Sequence, residues 1–161
     1  MNEKVRNVLF VCSGNSGRSI MAESILGQLG QGQFRAFSAG SHPTGRVNPL
    51  AIEQLALRGY PTRDLASKSW QRFLAPESLG MDFVITVCAL AAREEQPCWP
   101  GNPETLFWRF RAPGAVQGSD QVVRQAFSDV CDVIEESIKL FVWQNSVQSH
   151  LTDSGASSAA A

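Results

Sequence analysis

The chain has 161 residues, of which 43% are hydrophobic and 18% charged, a length and composition that hold one domain with a real core and exclude a disordered chain. Fourteen basic residues against fifteen acidic ones leave a net charge of −1. That balance excludes a nucleic-acid or membrane-surface protein built on bulk charge, so any bound anion must be held by a local site.

Met1 to Arg6 is polar and lacks the layout of a signal peptide, and no apolar run approaches the ~18 residues of a membrane span. The expected setting is the cytoplasm, with thiols reduced and with neither a membrane nor a nucleic acid as partner. Val8 to Val11 is a continuous apolar run and reads as a strand buried on both faces. Arg18 to Leu29 carries Ile20, Met21, Ile25 and Leu29 at helical spacing, and Gly30 stops it. Phe34 to Ala39 reads as a second strand. Pro49 to Leu57 reads as a helix capped by Asn48 and ended by Gly59. Ser67 to Leu74 reads as a short helix, Phe83 to Val87 as a third strand, and Ala89 to Asn102 as a loop over one sheet edge. Thr105 to Phe110 supplies a fourth strand. Ser119 to Val142 is the clearest helix, with Val123, Phe127, Val130, Ile134, Ile138 and Phe141 on one stripe. Alternation of such strands and helices predicts right-handed βαβ units in a three-layer α/β/α sandwich. The expected domain is 1–143, and 144–161, rich in Ser and Ala, is read as a disordered tail.

Cys12-Ser13-Gly14-Asn15-Ser16-Gly17-Arg18 follows a buried strand and opens a helix. Gly14, Asn15 and Gly17 accept left-handed φ values at low cost, so the turn can wind its N–H groups toward one point. Such a nest at a helix N-terminus binds anions and stabilises a thiolate at Cys12. Arg18 offers a planar fork to two oxygens of a tetrahedral oxyanion, and Ser19 offers a hydroxyl. The spacing of a nucleotide P-loop, with its Lys, is absent. Cys12, Cys88, Cys98 and Cys131 are widely spaced, without a C-x-x-C pair or a Cys/His cluster, so no metal site is expected.

Val8 to Ser16, followed by Arg18-Ser19-Ile20-Met21-Ala22-Glu23, resembles the signature of the low-molecular-weight protein tyrosine phosphatase family. The Ser-Ile-Met-Ala-Glu ending is most similar to its arsenate reductase branch. The likeness continues through Ser38-Ala39-Gly40, Ser67-Lys68-Ser69-Trp70, Val84 to Cys88 and Trp99-Pro100-Gly101. It implies a four-stranded parallel sheet with Cys12 at the base of an oxyanion pocket built from Ser13, Gly14, Asn15, Ser16, Gly17, Arg18 and Ser19. It implies further that Cys12 attacks arsenate, with phosphate and sulfate as competing ligands, and that Cys88 resolves the adduct as a disulfide. No bound cofactor is implied; the electrons come from an external thiol reductant, either glutathione with glutaredoxin or thioredoxin.

Four positions depart from the family pattern. Gly17 stands where a second loop cysteine is frequent, and Phe107 where the reductases usually have His. The family's third cysteine falls at Gln96, so Cys98 is displaced by two positions and reads either as a redox thiol on a mobile loop or as a spare loop thiol. The family's general acid, an Asp before Pro, is replaced in Ala112-Pro113. A phosphate ester needs that acid more than arsenate does, because its leaving group is an alkoxide or phenoxide. The alternatives are a low-molecular-weight protein tyrosine phosphatase or small phosphomonoesterase, and a weakened oxyanion-binding protein. Cys131, among the apolar residues of the last helix, reads as core.

Overall fold

A computed structural model of the chain describes residues 4–156, with side chains through Thr152. Four strands, β1 (Arg6–Cys12), β2 (Phe34–Gly40), β3 (Phe83–Thr86) and β4 (Glu104–Phe107), form one parallel sheet in the order β2-β1-β3-β4. The helices are α1 (Arg18–Leu29), α2 (Pro49–Leu57), the single turn α3 (Ala89–Ala92) and α4 (Asp120–Ala156). No described helix is long and apolar enough to cross a membrane.

Val8, Leu9, Phe10 and Val11 are fully buried because β1 lies in the middle of the sheet, with β2 and β3 on its flanks and cover on both faces. Side-chain alternation assigns the faces. Phe34 meets Phe141 of α4 with ring centres 5.1 Å apart, and Phe37, of opposite parity, meets Phe73 on the other side at 5.9 Å. Helix α1 packs on the same side as α4. Trp108 closes the core between Phe10 and Phe141, which makes it a packing residue.

The chain leaves β1 toward β2 on one side and returns to β3 on the other, so the strand order reverses between β1 and β3. The crevice beyond the carboxyl ends of these two strands is where such sheets bind ligands. Val11 is in register with Thr86, and the Val87 N–H donates to Val11 O at 2.8 Å. Cys12 and Cys88 therefore emerge side by side at the reversal.

Several expected boundaries are corrected. The helix expected over Ser67–Leu74 is a single 3-10 turn, Trp70–Phe73, with the Ser69 hydroxyl accepting from the Gln71 N–H. The loop expected from Ala89 opens with the helical turn α3, because the Cys88 sulfur accepts from the Ala91 N–H and caps it. The edge strand β4 ends at Phe107, half exposed, rather than at Phe110. The tail expected to be disordered from Gln144 continues α4 as far as Ala156. Polar docking sustains it: Arg6 Nη1 donates to the buried Asn145 Oδ1 at 3.0 Å, and Ser146 Oγ donates to Gln33 Oε1 at 3.1 Å. The last part of that expected tail, 157–161, lies outside the described residues.

Candidate active site

The loop between β1 and α1 is shaped from behind. Its carbonyls at Cys12, Ser13, Gly14 and Ser16 accept from the backbone N–H groups of Ser41, His42, Thr44 and Asn48, at 2.8 to 3.2 Å. Ser67 Oγ donates to Gly14 O as well. With the carbonyls drawn outward, the N–H groups of Gly14, Asn15, Ser16 and Gly17 are left without a protein acceptor among the described residues. That is the nest expected of an anion site at a helix N-terminus.

Asn15 sits at the bend with φ 45° and is fully buried. Its Nδ2 donates to Ser19 Oγ at 2.9 Å, and its Oδ1 accepts from the Lys68 N–H at 2.9 Å. The Ser19 hydroxyl is thus engaged with Asn15. Gly40, in register with Cys12, permits the close approach: a Cβ there would fall on the Ser13 carbonyl. At Gly17 a Cβ would meet only Phe127, at 3.8 Å, so the missing loop cysteine reflects no lack of room.

Cys12, Arg18 and the loop backbone line a cavity of about 160 Å³, closed by Ala112, Pro113 and Phe127. Asn48, read from sequence only as a helix cap, also reaches this cavity, as does Phe127, read as core. Both roles come from chain segments far from the loop, and no local signal carries them. Arg18 Nη1 donates to Phe110 O at 3.0 Å, which ties α1 to the segment bearing Ala112. The cavity lining contains no carboxylate.

Cys88 lies behind Cys12, with a hydrogen bond between the two thiols. The Cys88 sulfur also accepts from the N–H groups of Ser13 at 3.3 Å and Ala91 at 3.4 Å. Hydrogen bonding from Cys12 pulls the Cys88 thiol down to about 5 against its burial, and the two N–H groups and Arg18 act in the same direction. Cys12 is pushed up by that bond and by burial, while Arg18 pulls it down. The two thiols titrate as a pair in which the surroundings favour ionisation of Cys88 over Cys12.

Cys98 is exposed on the loop after α3. The position beside the Cys88 turn belongs to Gln96, whose Nε2 donates to Thr86 Oγ1 at 3.3 Å and to Ala91 O at 3.4 Å. Cys131 is fully buried on α4 and its thiol is pushed up to about 11 by burial, in keeping with a core residue. Beneath the loop, Glu23 faces Lys68 at 3.9 Å. Burial raises the Glu23 carboxyl to about 7 although Lys68 opposes it.

The family model for the low molecular weight phosphotyrosine protein phosphatases matches residues 7–105, which span the loop, Cys88 and Gln96. The chain belongs to this family, on its arsenate reductase branch. It is 33% identical over 141 residues to an arsenate reductase of Halalkalibacterium halodurans, covering 88% of this chain and 96% of that one. An arsenate reductase solved in its oxidised state is 25% identical with a TM-score of 0.70, over 87% of this chain and 98% of its own. A thioredoxin-dependent arsenate reductase of Corynebacterium glutamicum is 28% identical with a TM-score of 0.58, over 87% of this chain and 65% of that one.

Proposed function

We propose that this chain reduces arsenate to arsenite through Cys12 and Cys88, in the cytoplasm, at the expense of an external thiol. The observation that carries this reading is the Cys88 sulfur held against Cys12 beneath an oxyanion loop that lacks a carboxylate. Arsenate enters the nest of N–H groups and meets the Arg18 fork. The Cys12 sulfur attacks arsenic, and a hydroxide leaves as water with the Cys12 proton. Cys88, still a thiolate, then attacks the Cys12 sulfur. The S–As bond breaks with its electron pair on arsenic, and arsenite departs and takes protons from solvent. Arsenic gains two electrons and the two thiols become one disulfide.

That disulfide needs two electrons from outside. The candidates are thioredoxin, the donor named for the C. glutamicum relative, and glutathione with glutaredoxin. Exposed Cys98 is the thiol best placed to meet a protein donor at the surface, because Cys12 and Cys88 are 5% and 1% exposed. A phosphatase reading lacks support at the position that matters, since Ala112 brings no acid to the leaving group.

The test is NADPH oxidation driven by arsenate, run separately with a thioredoxin system and with a glutathione–glutaredoxin system. Turnover with one of them, together with a Cys12–Cys88 disulfide after one round without reductant, is the expected result. Protection of the loop by arsenate or phosphate without turnover in either system would leave an oxyanion-binding protein and overturn the reading.

A further inference from the structure

Gln96 joins three segments that move apart in sequence but meet at the Cys88 turn. Its Nε2 bridges Thr86 Oγ1, at the end of β3, and the Ala91 carbonyl of α3. Its Oε1 accepts from Trp99 Nε1 at 3.2 Å. Trp99 is buried and packs edge-on against Trp70 with ring centres 5.8 Å apart, so the far end of the amide is anchored. The Ala91 residue is held at both of its polar groups: its N–H points to Cys88 Sγ, and its C=O accepts from Gln96 Nε2 and from the Glu94 N–H, the latter at 3.2 Å. Helix α3 has only four residues, closed by the Ala92 N–H on the Cys88 carbonyl at 3.2 Å, and a helix this short is marginal on its own.

We propose that Gln96 is a positioning residue for the resolving thiol: by clamping Ala91 between β3 and Trp99, it keeps the Ala91 N–H on Cys88 Sγ. This role rests on the reading of Cys88 as the thiol that attacks the Cys12 adduct. The other groups that face Cys88 are the Cys12 thiol and Ser13 N–H from the β1 end and Arg18 from α1, so the charge on Cys88 has more than one support. Gln96 governs the share that comes from its own side of the crevice.

The experiment uses Gln96→Met, which keeps volume and removes the hydrogen bonds, and Gln96→Glu, which keeps acceptors for Trp99 but replaces the donor with a carboxylate. Titration of thiolate ultraviolet absorbance in a Cys12→Ser, Cys98→Ser background reads Cys88 without needing it exposed. Gln96→Met is expected to move that midpoint upward by about half to one pH unit, the equivalent of one hydrogen bond to the anion, and Gln96→Glu further. With Cys12 and Cys98 restored, kcat for arsenate should fall about three- to tenfold in Gln96→Met, while KM for arsenate and aryl phosphate hydrolysis, which do not use Cys88, hold. An unmoved midpoint in both variants, or parallel loss of arsenate and aryl phosphate turnover, overturns the role. If the unmodified chain shows no arsenate turnover, the reductase reading fails, and the thiolate midpoints still decide whether Gln96 places the N–H.

Discussion

Ala112 presents a methyl group to the loop cavity at the position where the family carries its acid, next to Pro113 and within reach of Arg18 and Cys12. Ala112→Asp is expected to raise hydrolysis of an aryl phosphate by about tenfold or more, against a ceiling of roughly 10²–10⁴ for a well-placed acid. A falling limb should appear in the pH–rate profile as the new carboxyl ionises, while arsenate turnover, limited by thiol resolution, changes much less. Unchanged aryl phosphate kinetics would mean that Ala112 does not face the leaving group. The complementary substitution, Cys88→Ser, should stop multiple turnover of arsenate and leave residual aryl phosphate hydrolysis, as steady-state assays of both substrates would show. Cys12, Arg18 and the loop between them were legible because their chemistry is contiguous in sequence. Asn48, Phe127 and Gln96 reach the site through long-range packing, which residue spacing does not encode. The acceptor role of the Cys88 sulfur was likewise invisible, since it depends on the fold bringing the N–H groups of Ser13 and Ala91 onto it.

The elements were legible where burial is continuous and obscure where polar contacts decide. Strands β1 and β3 announce themselves as apolar runs because both of their faces are covered. The apolar stripe of α4 stops at Phe141, and the next inward position is Asn145, which a hydrophobic period reads as the end of the helix. The helix continues because Asn145 has a partner 139 positions earlier in Arg6, whose guanidinium also lies over the Phe34 ring at 4.8 Å. Helix α3 escaped notice for a related reason: its cap is a cysteine sulfur, outside the usual capping residues. Ending the chain after Trp143 should therefore lower the unfolding free energy by on the order of 1–3 kcal/mol, the cost of leaving a charged donor without its acceptor. A urea titration measures this. The arsenate turnover of the shortened chain should stay near that of the full chain, because every residue lining the loop cavity precedes the cut.

At the scale of the molecule, the reversal of strand order between β1 and β3 brings Cys12 and Cys88 together, and the same packing leaves Glu23 and Lys68 only partly exposed beside the loop. Lys68 links the two features, since its N–H holds Asn15 while its side chain faces Glu23. The Glu23 carboxyl, 4.5 in the unfolded chain, is raised to about 7 by burial. Below the unfolded value both states are protonated and Glu23 carries no penalty. As pH rises toward 7 the unfolded state releases its proton first, so this contribution to stability is lost across that interval. The full shift is worth about 3 kcal/mol at most. Cys88 acts in the opposite sense: between about 5 and the ordinary thiol value the folded chain releases this proton before the unfolded one, so stability rises with pH there, while the raised Cys12 opposes it above that range. The pH profile of the unmodified protein thus mixes the two, and a difference against Glu23→Gln isolates the first. Removing the carboxylate also removes the counter-charge of Lys68, leaving its ammonium on the Ala66 carbonyl alone among the described residues, which offsets the variant's stability at every pH at which Lys68 stays charged, but the slope survives that offset. Urea unfolding of both proteins from pH 5 to pH 8 should show the stability of Glu23→Gln rising relative to the unmodified chain as pH increases. A difference that stays flat across the range would mean that Glu23 is ionised in the folded protein throughout and that Lys68, not burial, sets its charge.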